Sequence, residues 1–238
     1  MSVLAVAEIK IGEHVTRKFL GLTFNVDTIW TTVVAGTILI LLGLYMAYRV
    51  THGTPSKLQL AFEVVVDAVR RQVQSTIGPV APFVVPLAVT LFFFILISNW
   101  LEIIPSGESP KYLPAPTADV NLTFALALLV IGWALFVGIR RRGIGGYLKG
   151  YFRPYPFLFP INVIEEVARP VSLSLRLFGN LFAGGIMLSV IGLLPATLLW
   201  APNAIWKLFA LFIGLIQAFI FALLTILYFA TAMGEGGH

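Results

Sequence analysis

Residues 200–232, WAPNAIWKLFALFIGLIQAFIFALLTILYFATA, decide the fold. Between Lys207 and Glu235 the only charged or amide side chain is Gln217, so the run belongs to a membrane rather than to a soluble core. As one helix of roughly 33 residues it would be about 49 Å long at 1.5 Å per residue, against a hydrocarbon core about 30 Å thick. Confined to that layer it would lie roughly 50° from the membrane normal, well past the common tilt of about 20°. A second long segment, residues 160–194, precedes it. Two consecutive overlong segments predict a steeply tilted hairpin.

Working outward, the rest of the chain reads the same way. It is 58% hydrophobic and 11% charged, with mean hydropathy +0.93, far from a soluble protein. Ordinary spans are expected at 28–49, 82–102 and 119–140. Between the first two, residues 57–78 place Gln59, Glu63, Asp67, Arg70 and Gln74 at helical spacing, an amphipathic helix lying in the interface. The fold class is therefore an all-α membrane protein of about five membrane-embedded helices plus that interfacial helix. Residues 1–27 form a polar arm, and 28–238 a single membrane domain. The start lacks the pattern of a signal peptide.

Charge gives the topology. The net charge is +5, but the basic residues sit beside apolar segments, which is not a nucleic-acid footprint. Arg140, Arg141, Arg142, Lys149 and Arg153 share one loop, whereas the loop at 105–119 holds only Lys111. The positive-inside rule puts the triple arginine and the C-terminus in the cytoplasm and the N-terminus outside. The chain has no cysteine, which excludes disulfides, thiolate metal sites and cysteine nucleophiles. No cofactor, metal-binding or phosphate-binding motif is present in the sequence.

Within the penultimate segment, Glu165, Arg169, Ser172, Arg176 and Asn180 share one helical face. Arginine at the centre of a span costs roughly 2.5–3.5 kcal/mol on insertion scales, so something must offset or use it. Glu165 and Glu166 lie some 15 Å along the helix from Arg176, too far to pair with it directly. Gly179, Ala183, Gly184 and Gly185 leave a low surface against which another helix fits. On the last segment Gly214, Gln217, Phe221, Thr225 and Tyr228 share a face, and a hairpin would set Gln217 against Arg176 or Asn180. From the residues alone, Asn180 and Gln217 serve equally as interhelical packing bonds. Asp119, before VNLTFALALL, reads from the residues alone as the cap of that helix in preference to a functional group.

The stretch PVSLSLRLFGN, Pro170–Asn180, closely resembles the signature of subunit a of the F-type ATP synthases. The resemblance extends in order to PTADVN (116–121), INVIEEVARP (161–170) and IQAFIFALLTILY (216–228), covering most of the chain from the second span onward. It implies a noncatalytic stator subunit against which a ring of c subunits turns, each carrying a carboxylate that exchanges protons through two offset half-channels. By position in the motif, Arg176 matches the essential arginine, Asn180 the polar residue one turn on, and Gln217 the last-helix glutamine. Glu165, Glu166, Asp119, Glu102, Ser172 and Tyr228 become candidate half-channel residues. The face with Arg176 and Gly179–Gly185 would meet the c-ring. Peripheral-stalk b-type subunits, the F1 sector indirectly and membrane lipid complete the implied partners, in a bacterial plasma (inner) membrane. Where many members carry an acid nine residues after the arginine, this chain has Gly185, and where some carry a histidine or acid seven before the glutamine it has Ala210. The other readings of the same residues are a stand-alone secondary transporter that binds an anion at Arg176 and a structural scaffold.

Overall fold

The computed structural model describes residues 16–19, 22–49, 56–78, 82–101, 115–150, 157, 160, 164, 168, 171–172, 174–175, 179, 183–187 and 189–233. The membrane part is all α. It is preceded by a small antiparallel hairpin of β1 (Thr16–Phe19) and β2 (Leu22–Asn25), in which Thr16 pairs with Asn25 and Phe19 with Leu22. These strands, TRKF and LTFN, lie in the segment read from sequence as a polar arm. Strand β2 runs directly into α1 (Val26–Arg49). Then follow α2 (Lys57–Thr76), α3 (Val84–Leu101), a 3₁₀ turn at Pro116–Ala118, α4 (Val120–Gly150) and α5 (Ala196–Met233).

Among the described residues, four helices are long and apolar enough to cross a membrane: α1, α3, most of α4 and α5. The segment at 160–194, expected as the other half of the tilted hairpin, is described in part, and its described residues up to 191 are helical. Helix α5 has 38 residues, about 57 Å at 1.5 Å per residue. It covers the long apolar stretch and one turn before it, and contains Pro202, which withholds one backbone donor.

Local chemistry explains the ends of α2. Ser56 caps its start, accepting from the Gln59 backbone N–H at 3.2 Å. Past its end, Gly78 takes φ 75°, a left-handed conformation that costs glycine little. One side of α2 is buried, with Val69 and Val73 in the core and Phe62 stacked on Phe93 of α3 at 4.9 Å between ring centroids. Glu63, Asp67 and Arg70 are exposed, but Gln59 is buried and donates to Glu63 Oε1 at 2.7 Å.

Helix α3 is apolar all round apart from Thr90 and its last turn, and accordingly sits at the centre. Ile95, Ala88 and Val84 of α3, Val130 and Ala134 of α4 and Phe221, Ile226 and Phe229 of α5 share one buried apolar cluster, with α5 lying against both α3 and α4. Helix α4 continues through Arg140, Arg141 and Arg142 and changes direction at Gly143, whose φ of 72° lies outside helical geometry. There Arg142 Nη2 donates to the Thr231 carbonyl near the C-terminus of α5, at 3.4 Å.

Candidate functional site

The α5 face expected to be functional points inward. Gln217 is 6% exposed, and Phe221, Thr225 and Tyr228 are buried with it, as is Gly214. Thr225 Oγ1 donates to the Phe221 carbonyl at 2.9 Å, so its hydroxyl is satisfied within the helix. A buried amide in a stretch with no other charged or amide side chain between Lys207 and Met233 is the kind of group that lipid does not solvate.

Helix α3 grips α5 one turn before Gln217. Asn99 Nδ2 donates to the Gly214 carbonyl at 3.2 Å, and Trp100 Nε1 to the Leu211 carbonyl at 3.3 Å. The Asn99 oxygen accepts from Thr117 Oγ1 at 2.8 Å, which fixes which way the amide faces. Both Asn99 and Thr117 are buried. The contact needs a glycine on α5: a Cβ at position 214 would lie 3.0 Å from Asn99 Cβ.

A second polar tie leaves the same turn. Asp119 is buried and caps α4, with Oδ1 accepting from the Asn121 backbone N–H at 2.8 Å. Its Oδ2 accepts from Asn25 Nδ2 at 2.7 Å and from Thr28 Oγ1 at 2.8 Å. One carboxylate thus joins the start of α4 to the start of α1 and the end of β2. Beside it Asn25, Thr28, Thr32, Asp119 and Asn121 contribute to the walls of a groove of about 410 Å³.

The residues singled out from sequence divide accordingly. Gln217, Asp119 and Tyr228 are buried in the positions just given. Ser172 is helical and exposed, Gly179 is exposed and Gly185 half-buried. Arg176, Asn180, Glu165, Glu166 and Glu102 lie outside the described residues. Asn99, Thr117, Asn25, Thr28 and Gly214 make the polar ties around the site; only Gly214 is placed on the functional face from sequence. The available signal was the amide itself, Asn99 inside the apolar run FFFILISNW. No group of three or more His, Asp or Glu side chains suited to a metal occurs among the described residues.

The family model described as ATP synthase A chain matches residues 28–230. Over 237 residues, 99% of this chain and 87% of the relative, the sequence is 57% identical to the ATP synthase subunit a of Acidothermus cellulolyticus. It is 52% identical over 239 residues to that of Mycobacterium tuberculosis, covering 95% of this chain and 94% of the relative. With the Bacillus pumilus protein of the same name, identity is 37% over 242 residues, 92% of this chain and 97% of the relative.

Proposed function

The chain belongs to the ATP synthase A chain family, and from that premise we propose that it forms two offset half-channels against a c-ring and couples proton flow to ring rotation. The coarser statement follows from the family itself: it is a multi-pass membrane subunit of an ATP synthase, working in proton translocation within a complex of other subunits. In the finer reading it holds no catalytic site of its own, and Arg176, Asn180 and Gln217 form the ion path.

The observation that carries this reading is the buried Gln217 on an inward face of a 38-residue apolar helix. It lies in the same chain as the arginine-bearing stretch PVSLSLRLFGN. Arg176 supplies a fixed cation. It attracts the ionised carboxylate of a passing ring subunit and so favours release of that proton toward the exit. It also repels protons that would otherwise leak straight from one half-channel to the other. A guanidinium keeps its charge at any physiological pH, so it does this without itself relaying protons. The ring carboxylate and aqueous clefts solvate the group, which offsets its insertion cost. Asn180 and Gln217 offer donors and acceptors to water and to the ring site along this path.

On the outer side, Asp119 has both oxygens engaged by Asn25, Thr28 and the Asn121 backbone. In this reading it shapes the inlet as a fixed acceptor, with Glu102 beside the same loop. Glu165 and Glu166 serve the cytoplasmic exit, with Ser172 and Tyr228 as further half-channel residues. The ring meets the Arg176 and Gly179–Gly185 face, b-type subunits of the peripheral stalk hold the chain still, and F1 couples indirectly. The N-terminus lies outside a bacterial plasma membrane and the C-terminus in the cytoplasm, following the basic residues.

The test is ATP-driven acidification of inverted vesicles carrying the whole complex with Arg176→Ala, after assembly and ATP hydrolysis are confirmed. Pumping is expected to be lost. Undiminished pumping by an assembled complex sinks the assignment of Arg176 to the ion path.

A further inference from the structure

We infer that Asn99 is a positioning residue for Gln217: its amide fixes the height and rotation of α5 against α3, and hence where the Gln217 amide stands. The inference rests on the proposed role of Gln217 in the ion path. Apolar packing alone defines the register of two membrane helices weakly, because lipid tails are as apolar as leucine side chains. Here two donors on consecutive residues of α3 grip carbonyls one turn apart on α5, Asn99 at Gly214 and Trp100 at Leu211. Sliding α5 by one residue would shift it about 1.5 Å and turn it about 100°, taking both donors off their acceptors.

The grip is specific to its place. The Gly214 carbonyl offers a second lone pair beyond its helical bond, and the amide reaches it because no Cβ intervenes. A Cβ there would lie 3.0 Å from Asn99 Cβ, 3.6 Å from its Nδ2 and 3.7 Å from Trp100 Cδ1. Thr117 holds the Asn99 oxygen at 2.8 Å and so keeps the NH₂ group aimed at α5. Gln217 follows Gly214 by three residues, about 4.5 Å along the same face. Whatever sets Gly214 sets Gln217.

The experiment compares ATP-driven pumping in inverted vesicles carrying the assembled complex with Gln217→Ala, Asn99→Leu, and both. Asn99→Leu is expected to lower pumping about tenfold, as expected for a misplaced functional group. The double variant is expected to pump no less than Gln217→Ala alone, because misplacing an amide that is absent costs nothing further. Pumping by Asn99→Leu at the original rate, or losses that multiply in the double variant, overturns the inference while leaving Gln217 in the path. Normal pumping by Gln217→Ala overturns the role of Gln217 and the purpose of the clasp together. Gly214→Ala, whose Cβ wedges the same contact, provides the second variant and is expected to show the same non-additivity. If neither Asn99→Leu nor Gly214→Ala assembles, the clasp serves the fold rather than the placement of Gln217, and the inference falls.

Discussion

Helices α1 and α3 are near equals in apolar character, with hydropathy 2.0 and 2.2 over their most apolar windows, yet 17% of the first window and 56% of the second is buried. Hydropathy reports the solvent a helix will accept, not the neighbours it will have. Helix α3 is held on several sides, by α5, α1 and α2. Helix α1 exposes Trp30, Ile40, Leu44 and Tyr48 along much of its length. What fastens it at its start is polar: Thr28 at its first turn, and Asn25 just before it, on Asp119. One helix is enclosed by its neighbours; the other packs on α3 along the single face that holds Thr31, Ala35 and Met46 and is tied at its start by a carboxylate.

That contrast breaks most sharply at Asp119. Asp119→Leu removes the acceptor of Asn25, Thr28 and the Asn121 N–H together, and leaving such donors unpaired is expected to cost about 3 kcal/mol. The thermal midpoint of the purified complex falls, and a cysteine introduced at Thr32 reacts faster with an aqueous maleimide as the start of α1 loosens. Unchanged labelling would mean that packing, not the carboxylate, holds α1. Ile95→Ala, at a fully buried position in α3, is expected to cost about 2 kcal/mol through the cavity it leaves. It lowers the same midpoint but leaves the Thr32 label untouched, since the tie to α1 lies elsewhere. The smallest effect is Leu44→Ala on the exposed side of α1, expected within about 0.5 kcal/mol. A midpoint drop equal to that of Ile95→Ala would show α1 covered rather than facing lipid.

Composition made the all-α membrane class legible, because apolar runs of this length have few other solutions. Gln217 was legible too, as the lone amide between Lys207 and Glu235, and the inward burial of Gly214, Phe221, Thr225 and Tyr228 follows from their spacing. The β1–β2 hairpin was not, since strands of four residues leave little periodicity to detect. Asp119 as a helix cap needs only Asn121, two residues away, and local sequence suffices for that. Its bonds to Asn25 and Thr28 cross 94 and 91 residues. Asn99 resembles an ordinary polar residue near the end of a span. Its meaning depends on a glycine 115 residues later that leaves room for it.

The arginine at the bend of α4 has a working life in two stages. While the chain is being threaded into the bilayer, Arg142 belongs to the basic cluster that biases which side of the membrane keeps that loop. Once the helices have assembled, its guanidinium rests on the Thr231 carbonyl, where the last turn of α5 presents unpaired carbonyls and the negative end of its dipole. A charge that first directs traffic thus becomes a doorstop at the end of the longest helix. Replacing it with a neutral residue would therefore disturb two events separated in time, the orientation of the nascent chain and the seating of its final segment.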